Sequence, residues 1–277
     1  MSQLTFPLVG KEIEIVLPAV EHSLLATFEN DIILEAKRLE KVFNFYDPES
    51  ELSTLNSHRN LNANPELLTV LIKALQYCKA TVGAYDISMG KQFLARKHGQ
   101  PLPLLKCSYK DIQIAGNQVT LQNPDVLIDL GSIAKGFIAD KLVDYLKGLG
   151  FASGLVDARG DLHNFGQKDI IGIQHPRYKE SIIMNFELDN SAVATSGDYK
   201  QFYGSFHNSH IVGSKDFASV TVVAPSLVEA DAVATCVFVL GSKASVDFLA
   251  RRKHLKVLAI DKNLKVCDYN NFGELVR

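Results

Sequence analysis

Before residue 110 the chain is dominated by apolar stripes at helical spacing, and after it by short alternating apolar runs separated by turn residues. That change of texture confines it to a fold of segregated helices and sheets. Leu25, Phe28, Ile32, Ala36, Leu39 and Phe43 recur every three or four residues, giving one apolar helix face that ends near Tyr46-Asp47-Pro48. A second helix is predicted from Pro65 to about Val82, with Gly83 as its stop. A polar segment lies between them. Ile13 to Leu17 reads as a strand stopped by Pro18, and the runs on either side of Gly116-Asn117 as a hairpin. Val126 to Leu130 reads as a strand entering a helix from Ile133 to about Leu146, capped by Ser132, and Gly154 to Val156 would complete a β-α-β unit. Further strands are predicted at Ile170 to Gln174, Ile182 to Leu188 and Ser219 to Ala224, the last feeding a helix from Leu227 to Leu240 ended by Gly241. No linker divides these parts. The expectation is one α+β domain over 1–277, with β-α-β sub-units and mixed sheets.

The 277 residues carry 29 Lys+Arg against 31 Asp+Glu, a net charge of −2, so no basic field exists to hold nucleic acid. Cys78, Cys107, Cys236 and Cys267 lie far apart with no C-x-x-C, which fits reduced thiols and excludes a zinc knuckle. No basic leader followed by an apolar run opens the chain, and no run of about 18 apolar residues follows. The expectation is a cytoplasmic protein without a membrane span.

The sharpest local signal lies in the last predicted helix. Ser226-x-x-Glu229 has the pattern of a capping box, which puts Asp231 and Thr235 at i and i+4 on one face. Carboxylate and hydroxyl are hard oxygen donors of the kind Mg²⁺ shares with substrate phosphates. The same spacing also suits a solvated Asp231 whose carbonyl accepts from Thr235. Ile128 to Asp140 is a second signal: a strand ending in Asp129, then Gly131, a helix start and Gly136. Free N–H groups there suit a phosphate, although glycines in a β-to-α turn equally serve close packing. Thr195, Ser196 and Asp198 around Gly197, Arg159-Gly160 after another strand, and His207 and His210 in a polar loop complete the set.

In this order the segments resemble the ApbE family of FAD:protein FMN transferases. Tyr46-Asp47 with Ser50 to Ser53 and Asn56 is similar to the family's YD-x-x-SELS-x-x-N, and Gly83 to Asp86 to its G-x-F-D. Ile128 to Gly136 resembles D-L-G-G-I-A-K-G, Ala194 to Tyr199 resembles A-T-S-G-x-Y, and Ala230 to Thr235 resembles A-D-A-x-x-T. The resemblance implies FAD as substrate, Mg²⁺ held by Asp231, Thr235 and the carbonyl of Ala134, and an acceptor protein with a Thr or Ser hydroxyl. It further implies flavin or nucleotide contacts at Tyr46, Ala84, Tyr85, Asp86, Gly131, Phe137, Ser196 and Ile211, and His210 as the base. FMN would pass to the hydroxyl with AMP leaving.

The chain departs from the pattern at four places. Val9-Gly10-Lys11 replaces M-G-T, Ile87-Ser88 replaces P-T, and Arg159 stands where the family has the first glycine of G-G-D. After His210-Ile211 the D-P-x-T-G loop residues are absent. Two other activities are compatible with such a chain: hydrolysis of FAD to FMN and AMP, and flavin or nucleotide binding without turnover.

Overall fold

A computed structural model of the chain describes residues 1–8, 11–18, 20–199 and 216–277. The chain opens with strands β1 (Ser2–Leu8) and β2 (Lys11–Leu17) and a long helix α1 (His22–Phe43). Helix α2 (Glu51–His58), strand β3 (Asn60–Asn62), helices α3 (Pro65–Ala80) and α4 (Gly90–Lys97), and the hairpin β4 (Ile112–Ala115) and β5 (Gln118–Leu121) follow. Helix α5 (Ala134–Gly148) then leads into β6 (Gly154–Asp157), β7 (Leu162–Phe165), β8 (Lys168–Gln174), β9 (Ile182–Asp189) and β10 (Ala192–Gly197). The remaining elements are β11 (Phe217–Ala224), α6 (Leu227–Ala250), β12 (Lys256–Asp261) and β13 (Val266–Tyr269).

Eight strands form one sheet in the order β1-β2-β6-β7-β10-β11-β12-β13. Helices α5 and α6 pack together, and α6 lies on β10 and β11. On the other side of the sheet Val193, Val223 and Leu258 meet Ile173, Phe186 and Leu188 of the β8–β9 hairpin and Phe272 of the final 3₁₀ turn. Every residue of β11 is therefore buried, which explains why SVTVVA reads as a nearly continuous apolar run rather than a strict alternation. Strand β1 shows the opposite case. Its edge position buries Ser2, Leu4, Phe6 and Leu8 and exposes the residues between, and an edge strand tolerates Pro7.

The α+β class is as expected, but the β-α-β sub-units are not found. Every strand pairing among the described residues is antiparallel. Val126 to Leu130 stays outside the large sheet as an extended segment, with an isolated parallel bridge from Leu127 to Met89. Its backbone is satisfied locally. Leu127 N–H donates to the Ser88 carbonyl, Asp129 N–H to Ile87, and the Asn56 side chain pairs with both the N–H and the C=O of Ile128 at 2.7 and 2.9 Å. The Asn56 amide thus stands in for a neighbouring strand, offering one donor and one acceptor to the extended backbone.

Other boundaries shift for physical reasons. Ser132 does not cap α5; Ile133 is the N-cap, and the Ser132 hydroxyl meets Tyr85 Oη at 2.9 Å. The polar segment after Tyr46 contains α2, begun by Ser50, whose hydroxyl accepts from Ser53 N–H. Helix α3 ends at Ala80, and Gly83 at φ 84° lets its N–H return to the Cys78 carbonyl. Gly241 ends the helical run from Leu227, as expected, but a second run follows it. At φ 73° and ψ −179° it kinks α6, which runs on to Ala250. By length and composition α6 could cross a membrane, yet 61% of its most apolar window is buried in the protein, as in a core helix. The four cysteines are free thiols.

Candidate active site around Lys135 and Asp231

The first turn of α5, the bend before β7, the end of β10 and the first turns of α6 meet in one place. Lys135 Nζ, one residue past the start of α5, donates to Asp161 Oδ2 at 2.7 Å and to Asp231 Oδ1 at 2.9 Å. Asp161 Oδ1 accepts from Thr195 N–H at 3.0 Å, and Asp231 Oδ2 accepts from Gly136 N–H at 3.3 Å. Both carboxylates are almost wholly buried. One turn beyond Asp231, Thr235 Oγ1 lies 3.0 Å from Ser196 Oγ, and at 3.4 Å it also reaches the Asp231 carbonyl. The carbonyl bond of the second reading is thus present, but Asp231 is buried rather than solvated.

Burial opposes the Lys135 charge, but Asp161 and Asp231 outweigh it and hold the ammonium pKa above its ordinary value. Burial pushes the Asp231 carboxyl up, and Lys135 offsets only part of that shift. With one ammonium between two carboxylates, the cluster keeps an unbalanced negative charge when all three are ionised. A second cation is the natural complement. Asp231, Thr235 and Ser196 supply only oxygen, the donor chemistry Mg²⁺ requires, and Ala134, buried beside Lys135, starts the helix whose first carbonyl is the remaining predicted ligand. Among the described residues no three His, Cys, Asp or Glu side chains cluster closely enough to hold a metal alone. The donor set therefore fits a cation that also takes oxygen from a substrate phosphate.

The other predicted contacts are distributed around this centre. Tyr85 is buried and joined through Ser132 to the turn before α5, where Gly131 is exposed and donates its N–H to Asp129 Oδ1 at 2.9 Å. Phe137 is buried edge-on to Phe43, with ring centroids 5.5 Å apart. Ala84 is exposed. Asp86 accepts from Ser88 N–H, the Ser88 hydroxyl and Tyr109 N–H, so its carboxylate organises the turn. Tyr46 is half-exposed on a cleft of about 470 Å³ with Lys37, Glu40 and Asn44, and Lys97 Nζ lies 2.6 Å from its hydroxyl and 4.0 Å from its ring centroid. Ala134, Ser196, Asp231 and Thr235 are thus brought together, whereas Tyr46 and Asp86 bond to partners of their own away from that group. His210 and Ile211 lie outside the described residues, as do His207, Val9 and Gly10.

Lys135 and Asp161 do not stand out in the sequence as a charged pair, although both lie in the motif segments. The available signal is a lysine in the first turn of a helix otherwise buried on most of its faces, which demands a carboxylate partner. Arg159 has φ 67°, and its guanidinium donates to the Leu8 carbonyl, tying the β6–β7 bend to the end of β1.

The profile of the ApbE family matches residues 9–259. The FAD:protein FMN transferase of Vibrio cholerae serotype O1 is 26% identical over 276 residues, covering 88% of this chain and 82% of that protein. Its counterpart from Haemophilus influenzae is 28% identical over 257 residues, covering 78% and 72%. Among solved structures, the flavin transferase ApbE from Vibrio cholerae superposes with a TM-score of 0.83 at 24% identity over 99% of both chains. The ApbE protein from Thermotoga maritima gives 0.84 at 22% identity, covering 100% of this chain and 99% of that one.

Proposed function

The chain belongs to the ApbE family, and on that premise we propose that it transfers FMN from FAD to a threonine or serine hydroxyl of an acceptor protein, releasing AMP. The curated relatives carry the coarser activity in their names, flavin transfer from FAD to protein. The observation that carries the finer reading is the convergence of Lys135, Asp161 and Asp231 with the Ser196–Thr235 hydroxyl pair, a cation-seeking oxygen site with its own ammonium.

Asp231 and Thr235, with the Ala134 carbonyl, are the residues that would hold Mg²⁺. When bound, the ion supplies charge neutralisation for a pyrophosphate and orients it. The protein's own part is positioning. Asp161 and Asp231 share the Lys135 ammonium through two short hydrogen bonds, which hold the Asp231 carboxylate in one orientation for the cation. In the transfer the acceptor oxygen attacks the FMN-side phosphorus in line, a new P–O ester bond forms, and the bond to the AMP oxygen breaks. The hydroxyl proton passes to His210, the proposed base.

The test is chromatography of FAD incubated with the purified protein, with Mg²⁺ or with EDTA, with and without an acceptor of proven competence. Covalent FMN on the acceptor with AMP formed only with Mg²⁺ is the expected result. AMP without acceptor would replace transfer by hydrolysis. Intact FAD throughout would leave binding without turnover.

A further inference from the structure

Ser226 and Glu229 have the spacing of a capping box, yet Ser226 makes no side-chain cap, and Glu229 faces His254 at 3.0 Å. The cap of α6 comes from another helix. Asp140 of α5 accepts from Leu227 N–H at 2.7 Å through Oδ1 and from Val228 N–H at 2.9 Å through Oδ2, the first two amides of α6. His163 Nδ1 lies 2.6 Å from the same Oδ1, and because a carboxylate only accepts, the imidazole donates there. Three donors thus converge on one carboxylate, and the buried His163 braces it from β7.

One turn back along α5, Gly136 allows the two helices to touch. A Cβ there would lie 2.3 Å from the Leu227 carbonyl oxygen and 2.7 Å from Val228 Cα. Gly136 N–H and Lys135 Nζ then meet the Asp231 carboxylate, one turn further along α6. The same two turns of α5 therefore set both where α6 begins and where Asp231 points. From this arrangement we infer that Asp140, braced by His163, is a positioning residue that sets the register of α6 against α5, and with it the placing of Asp231 and Thr235 for cation and pyrophosphate. The inference rests on the Mg²⁺–FAD reading above for its ligand, but on hydrogen bonds alone for its geometry.

Asp140→Asn separates positioning from general folding, because it keeps size and one acceptor while turning an NH₂ toward an N–H donor. Three quantities are measured on wild type, Asp140→Asn and Asp140→Ala: urea stability, amide exchange across residues 227–235, and FAD affinity by flavin fluorescence with and without Mg²⁺. The expected result is a folded Asp140→Asn protein with faster exchange confined to the start of α6. Its Mg²⁺ requirement for FAD binding rises by about 10–100-fold, the range found when a group that orients a metal ligand is lost. Excess Mg²⁺ then restores FAD binding in this variant, which it would not do if the effect were unfolding. Wild-type FAD affinity and Mg²⁺ requirement in both variants would overturn the inference. If wild type itself binds FAD equally with Mg²⁺ or EDTA, the metal assignment is the part that fails, and unchanged FAD affinity in Asp140→Asn would still overturn the role of Asp140.

Discussion

Removing the Lys135 ammonium would leave Asp161 and Asp231 as two buried carboxylates with no cation between them, since both are held by the same Nζ. Lys135→Met should therefore cost about 3–5 kcal/mol in urea unfolding, the range for breaking a buried ion pair from one side. Added Mg²⁺ should recover more stability in that variant than in wild type, and equal recovery would argue against a shared cation site. Asp231→Ala should abolish Mg²⁺-dependent FMN transfer while leaving the protein folded; retained metal dependence would remove Asp231 from the site. The pH dependence has a definite sign. Because burial raises the Asp231 pKa above the unfolded value of 3.8, its contribution is complete below that value and declines as pH rises through the folded value. Relative to wild type, Asp231→Asn should thus gain stability as pH rises above about 4, and a pH-independent difference in urea midpoints would contradict this. At this scale the sequence shows Asp231 and Thr235, since helical spacing alone aligns them. It does not show the pairing of Lys135 with Asp161 and Asp231, partners 26 and 96 positions away that only the tertiary fold brings together.

Elements that carry their own periodicity are legible, and those completed by a neighbour are not. Helix α1 follows from its stripe, and the β4–β5 hairpin from its Gly-Asn turn. Helix α2 is hidden because only Leu52 and Leu55 of its eight residues are buried, too few for a stripe. The extended segment before α5 looks like a sheet strand because it is apolar, but its partners are a loop and the Asn56 amide. The cap of α6 is invisible in local sequence because it belongs to α5. Gly136→Ala tests the helix contact: its Cβ meets backbone rather than a flexible side chain, so a loss of about 1–3 kcal/mol is expected from overpacking, measured by urea unfolding. Between α1 and α3, Arg38 bonds both Glu35 and Glu66 and holds the Glu66 carboxyl below its ordinary range. That contribution is present above about pH 4.5 and lost as pH falls through the folded value. Arg38→Ala should cost at most about 1 kcal/mol at neutral pH, because the guanidinium is half-exposed, and nothing in strong acid.

Across the whole molecule, FAD and a cation bound as proposed would rest on α5 and the bend before β7 on one side, and on β10 and α6 on the other. Joint binding should therefore stabilise the native state globally. At a ligand concentration a hundredfold above Kd the gain is about 2.7 kcal/mol. Thermal unfolding should shift upward with FAD and Mg²⁺ together by more than the sum of the separate shifts, and Asp231→Ala should reduce the result to the FAD shift alone. Additive shifts in wild type would separate the two sites.

The pairing of Glu14 with Asp157 joins β2 to β6 across about half of the chain. At a synthesis rate of about 5–20 residues per second, the amino-terminal hairpin waits roughly 7–30 s on the ribosome for that partner strand. It does not wait bare. β1 and β2 pair along their full length, and α1, the next element made, packs on β1. The first 43 residues thus contain a hairpin and the helix that packs on its first strand. The order of elements along the chain thus builds one side of β2 early and leaves its other edge open until β6 is made.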